Sequence, residues 1–106
     1  MTTKSIVFTK SKINYTTNGK GLPVVLLHGF GEDSSVWIAS INHLKNNYFI
    51  ITPDLPGSGK SEMLTGKKIS MDDYADCIYK ILQEEKSRIM TKTVILQHFD
   101  DCFMYI

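Results

Sequence analysis

Three apolar runs constrain this chain more than anything else in it: PVVLL at 23–27, YFIIT at 48–52 and TVIL at 93–96. A strand with one wet face alternates apolar and polar residues, and these do not. Val24 to Leu27 in particular reads as a strand buried on both sides, the mark of a parallel sheet covered by helices on each face. Residues 33–47 (DSSVWIASINHLKNN) carry Val36, Trp37, Ile41 and Leu44 as a helical stripe behind Asp33 or Ser34 as cap. A second helix is expected from Ser70 to about Lys86. It carries Tyr74, Cys77, Ile78, Ile81 and Leu82 on one face and Asp72, Asp76, Lys80 and Glu84 on the other, with Ser70 and Asp73 as a capping pair.

Ahead of these lie SIVFT at 5–9 and KINYT at 12–16, two short stretches rich in β-branched and aromatic residues, followed by the glycine-rich turn at 18–21. The expected order is a hairpin-like start and then strand, helix, strand, helix, strand. That is an α/β fold of about five strands, the first two antiparallel and the rest parallel with right-handed crossovers. A length of 106 residues allows one small domain.

Composition narrows the function classes. Apolar residues are 42% and charged residues 22%, ordinary for a globular chain, and the formal net charge of +1 gives no pull toward nucleic acid or a membrane surface. Cys77 and Cys102 lack metal-ligand spacing, so neither metal nor cofactor is expected. No apolar segment is long enough for a signal peptide or a bilayer span, which makes cytoplasmic residence the default expectation.

The stretch DLPGSGKS at 54–61 imitates a phosphate-binding loop. Such a loop needs G-x-x-x-x-G-K-[ST] between a strand and a helix, with backbone N–H groups around the phosphates. Here Asp54 stands at the first glycine position, where its carboxylate repels polyphosphate. EMLTGKKIS, which follows Ser61, has no helical periodicity before Ser70, so Lys60 reads as a solvated loop lysine. Nucleotide binding through PGSGKS is the least favoured alternative.

Both strand ends taken together give a better match. A buried strand running into His28-Gly29-Phe30-Gly31, a tryptophan at 37, and a strand running through Pro53-Asp54 into Leu55-Pro56-Gly57-Ser58-Gly59-Lys60-Ser61 resemble the N-terminal part of the α/β-hydrolase family. The likeness covers about residues 5 to 96, with 97–106 as a divergent tail. It implies an ester- or acyl-type hydrolase ancestry and a small acyl substrate in the complete family member. It also implies that the backbone N–H of Phe30 is one half of an oxyanion hole, with His28, Gly29 and Gly31 shaping that loop. Asp54, Gly57, Gly59 and Ser61 are expected to hold the neighbouring loop. His28 is expected to be structural rather than catalytic, Trp37 to lie in the core and His43 on the surface.

The family's nucleophile is a serine in G-x-S-x-G after the fifth strand. No such motif occurs in the 106 residues. After TVIL the chain reads Gln97-His98-Phe99-Asp100-Asp101-Cys102, with Gln97 where the motif has glycine and Phe99 where it has serine. The resulting expectation is an α/β-hydrolase reading cut off by a shifted frame or early stop near Gln97 and inactive alone. It comes with marginal stability or self-association through the unpaired far edge of the last strand. A non-catalytic interaction module is the alternative.

Overall fold

The computed structural model describes residues 1–29, 32–59, 61, 71–85, 94–97 and 104–105. Its elements are β1 (Thr2–Phe8), β2 (Ser11–Gly19), β3 (Leu22–Leu27), a 3₁₀ turn (Ser34–Trp37), α1 (Ile38–Leu44), β4 (Tyr48–Pro53), α2 (Met71–Glu84), β5 (Val94–Gln97) and β6 (Met104–Tyr105). They form one sheet in the order β1-β2-β4-β3-β5-β6. β3 is parallel to β4 and to β5, while the β1–β2, β2–β4 and β5–β6 pairs are antiparallel.

The continuous apolar runs have the cause inferred for them. Alternate residues of β3 and β4 enter different cores: Val25, Leu27, Phe49 and Ile51, with Ile13 of β2, pack with Cys77, Ile78 and Ile81 of α2. Val24, Leu26 and Ile50 face the other way, against Trp37, with Ile41 and Leu44 packed alongside. On α2, Tyr74, Cys77, Ile78, Ile81 and Leu82 are buried or half-buried, and Asp72, Asp76, Lys80 and Glu84 are exposed, as the pattern predicts.

Four local expectations are corrected. β1 ends at Phe8 rather than at 9, because Thr9 and Lys10 take positive φ (48° and 65°) and form a two-residue hairpin turn without glycine. β2 runs on to Gly19, three residues past the expected end. The segment 33–47 is not one helix but a 3₁₀ turn followed by a seven-residue α1. With three residues per turn in its first part, Val36 swings out of the expected stripe and is exposed. Finally, Met104–Tyr105 adds a sixth strand, pairing antiparallel with Val94 and Ile95. A two-residue strand is too short to leave a sequence pattern.

Gly19 joins β2 to the rest of the fold at φ 80°. A Cβ there would run into the carbonyl oxygens of Lys45 and Tyr48, so the turn closes directly on the chain leaving α1.

Two buried protons resist ionisation. Burial pushes the Cys77 thiol up to about 11, and burial together with the nearby Glu85 and Glu84 carboxylates pushes the Tyr15 hydroxyl up to about 12. Both groups ionise more easily in the unfolded chain, at 9.0 and 10.0. The stability they hold is therefore fully present below pH 9 and drains away as pH rises through 11 and 12. Urea midpoints measured across the alkaline range are expected to fall from pH 9 upward, with the onset moved to the tyrosine range in Cys77→Ala. An unchanged midpoint up to pH 11 contradicts the burial of both groups.

Candidate active-site loops

The carboxyl ends of β3 and β4 lie side by side, and the chain leaves both through loops that lock together. In an open parallel sheet this rim is where ligand chemistry is placed. His28 follows β3 directly and is 1% exposed. Its Nε2 accepts the backbone N–H of Leu55 at 2.9 Å, and its Nδ1 lies 2.9 Å from the carbonyl oxygen of Gly29. The Leu55 amide can only donate, so Nε2 is bare and the proton sits on Nδ1, where it donates to Gly29. Both ring nitrogens are used inside the frame, which is how the β3 loop is tied to the β4 loop.

Asp54, 8% exposed, does the same from the other side. Its Oδ1 accepts the N–H of Ser34 at 2.9 Å, which holds the start of the 3₁₀ turn, and its N–H donates to the Asn14 carbonyl at 2.9 Å. The Ser61 hydroxyl donates to the Asp54 carbonyl and accepts the Asn14 N–H at 2.9 Å. Gly59 lies so close under Asp54 that a Cβ would sit 2.5 Å from the carboxyl carbon, and its φ is 51°. Gly57, at φ 81°, makes the turn between them. With its hydroxyl spent on Asn14 and Asp54, Ser61 has no geometry for phosphate or magnesium. The next described helix, α2, begins only at Met71.

Glu32 is a residue that sequence reasoning missed. The Gly29 N–H donates to its Oε1 at 2.7 Å, and the Glu32 N–H donates back to the Gly29 carbonyl at 3.2 Å. Gly29 and Glu32 are thereby joined by a backbone bond and a side-chain bond at once. A carboxylate three residues after a loop glycine was the available signal, since it matches the spacing of a reciprocal cap. Next to it Asp33 is hydrogen-bonded by the Ser35 hydroxyl and by the Ser35 N–H, the latter at 2.8 Å, and these bonds hold its carboxyl below its ordinary value. An open depression of about 540 Å³ lies between the loops, lined by Glu32, Asp33, Ser35, Val36, Gly57, Ser58 and Gly59.

Phe30, Gly31 and Lys60 lie outside the described residues, as do Ser70, His98, Phe99 and Cys102. Trp37 is in the smaller core and His43 is exposed. Among the described residues no cluster of His, Cys, Asp or Glu has the makings of a metal site, and no helix is long and apolar enough to cross a membrane.

Residues 23–88 match the family model of the alpha/beta hydrolase fold. The chain belongs to the α/β-hydrolase fold family. It is 46% identical over 52 residues to a pimeloyl-[acyl-carrier protein] methyl ester esterase of Legionella pneumophila (strain Lens), covering 49% of this chain and 22% of that protein. It is 32% identical over 72 residues to the (E)-2-((N-methylformamido)methylene)succinate hydrolase of Acinetobacter baylyi, covering 64% of this chain and 27% of that one. Among solved structures, an alpha/beta hydrolase fold protein from Burkholderia ambifaria superposes with a TM-score of 0.79 at 27% identity, over 90% of this chain and 34% of the other. The chain thus spans about a quarter of the length of the curated relatives it matches.

Proposed function

We propose that these 106 residues form the oxyanion side of an acyl-hydrolase site and have no hydrolytic turnover by themselves. In this reading the Phe30 N–H is the donor aimed at the anionic oxygen of a tetrahedral intermediate, and His28, Gly29, Gly31 and Glu32 fix its direction. Asp54, Gly57, Gly59 and Ser61 hold the facing loop, and the substrate of the whole protein is a small ester or related acyl compound. The single observation that carries the proposal is the His28 bridge from Gly29 to Leu55, which ties His28 and Gly29 to the neighbouring loop at the sheet's carboxyl rim. A frame of this kind orients a developing charge but breaks no bond. Loss of a catalytic serine alone lowers kcat by about 10⁶.

The reading fits relatives named as a methyl ester esterase and an ((N-methylformamido)methylene)succinate hydrolase. It also fits a sequence in which Phe99 stands at the nucleophile position and G-x-S-x-G does not occur. Self-association through this side of the sheet belongs with it: β6 covers the expected edge at Val94 and Ile95, so the edge on offer is the outer side of β6, where no described residue pairs.

The test is hydrolysis of p-nitrophenyl acetate by the purified chain. The expected rate equals that of buffer plus an inert protein at the same concentration. Turnover above that level which a serine-reactive phosphonate abolishes overturns the proposal, because it requires a nucleophile within these residues.

A further inference from the structure

We propose that the outer edge of β1 is a pairing edge for a second copy of this chain, and that Lys80 holds it shut. β1 is the first strand of the sheet and has β2 as its one neighbour among the described residues. The two-residue turn makes Phe8 and Ser11 a hydrogen-bonded pair. By alternation, Lys4, Ile6 and Phe8 turn their backbone groups toward β2, while Thr3, Ser5 and Val7 turn theirs outward. Exposed strand groups of this kind are a template for another strand.

This edge is complementary to itself. An antiparallel copy related by a twofold axis through Ser5 places Ser5 opposite Ser5 and Thr3 opposite Val7. In that register each Thr3 N–H meets the Val7 carbonyl of the other copy, and the Val7 side chain, 61% exposed, gains a covering neighbour. One of the three outward acceptors is already engaged: Lys80 Nζ, reaching over from α2, donates to the Val7 carbonyl at 2.6 Å. Pairing would either displace that ammonium in each copy or crowd it against the incoming strand, which brings two positive charges to one shared edge. A lysine laid across an edge strand is a common way of preventing such contacts.

Sedimentation velocity of the full chain tests the idea. Lys80→Ala is expected to raise the sedimenting mass at least twofold over the wild-type species as concentration rises, and Lys80→Arg to leave it unchanged. Adding Ser5→Pro to Lys80→Ala should restore the wild-type pattern. Proline removes an N–H that faces outward and leaves the β1–β2 ladder intact. Hydrogen exchange gives an independent reading: the Ser5 amide should exchange freely in the wild type and become protected in Lys80→Ala. A Lys80→Ala chain that sediments as wild type with an unprotected Ser5 amide overturns the proposal, and so does a dimer that forms without Ser5 protection.

Discussion

Ile51→Ala is expected to cost about 2–5 kcal/mol, at the upper end of that range, and Ile50→Ala distinctly less. Both side chains are 0% exposed and neighbours on β4, so burial alone does not separate them. What differs is the cover. Ile51 lies in the larger core, pressed between the sheet and α2 among Ile13, Val25, Cys77 and Ile81. Ile50 lies in the smaller one, under Trp37 and the short α1. A cavity beneath a 14-residue helix pinned along its length has little room to close. A cavity beneath seven residues of α1, none of them fully buried, can be filled by a small shift of that helix. A domain of this size holds about 5–15 kcal/mol in total, so Ile51→Ala removes a large share of it. Urea titration of the two variants reads the difference, and a larger loss in Ile50→Ala contradicts the division of the core.

The same division explains what the sequence could say about the fold. Val24 to Leu27 announced a strand wet on neither side, and the two cores are the reason such a strand exists. α2 was legible residue by residue because one face packs on the sheet and the other meets water, which is the only condition under which helical periodicity carries information. The hairpin turn was less legible: Thr9 and Lys10 hold positive φ with none of the residues that normally mark it, so the strand pattern ran straight through Thr9. The 3₁₀ turn was hidden for a related reason. Asp33 caps Ser35 whichever helix type follows, so the cap signals a start and leaves the pitch open. At the site, motif spacing singled out His28, Asp54 and Ser61 but could not say what they hold. Their partners are the main-chain amides of Leu55, Ser34 and Asn14, and a backbone N–H has no letter of its own in a sequence.

Because those partners are backbone groups, Asp54→Ala is expected to act at a distance from the residue removed. The carboxylate is the acceptor that fixes the Ser34 N–H, and it fills the space left by Gly59. Removing it leaves a half-buried amide without its acceptor and the 57–59 segment without a side chain to lie on. A hydrogen bond to a charged acceptor contributes about 1.5–3 kcal/mol, and an amide left unsatisfied adds part of its desolvation cost. The expected loss is about 3 kcal/mol for Asp54→Ala and about 1 kcal/mol for Asp54→Asn, which keeps the shape and an acceptor oxygen but gives up the charge. The distinguishing measurement is amide exchange: Ser34 should lose protection in Asp54→Ala well beyond the global loss, while Leu55, held by His28, should follow global unfolding alone. Equal changes at Ser34 and Leu55 would mean that the two loops open as one unit and that Asp54 and His28 are not separate ties.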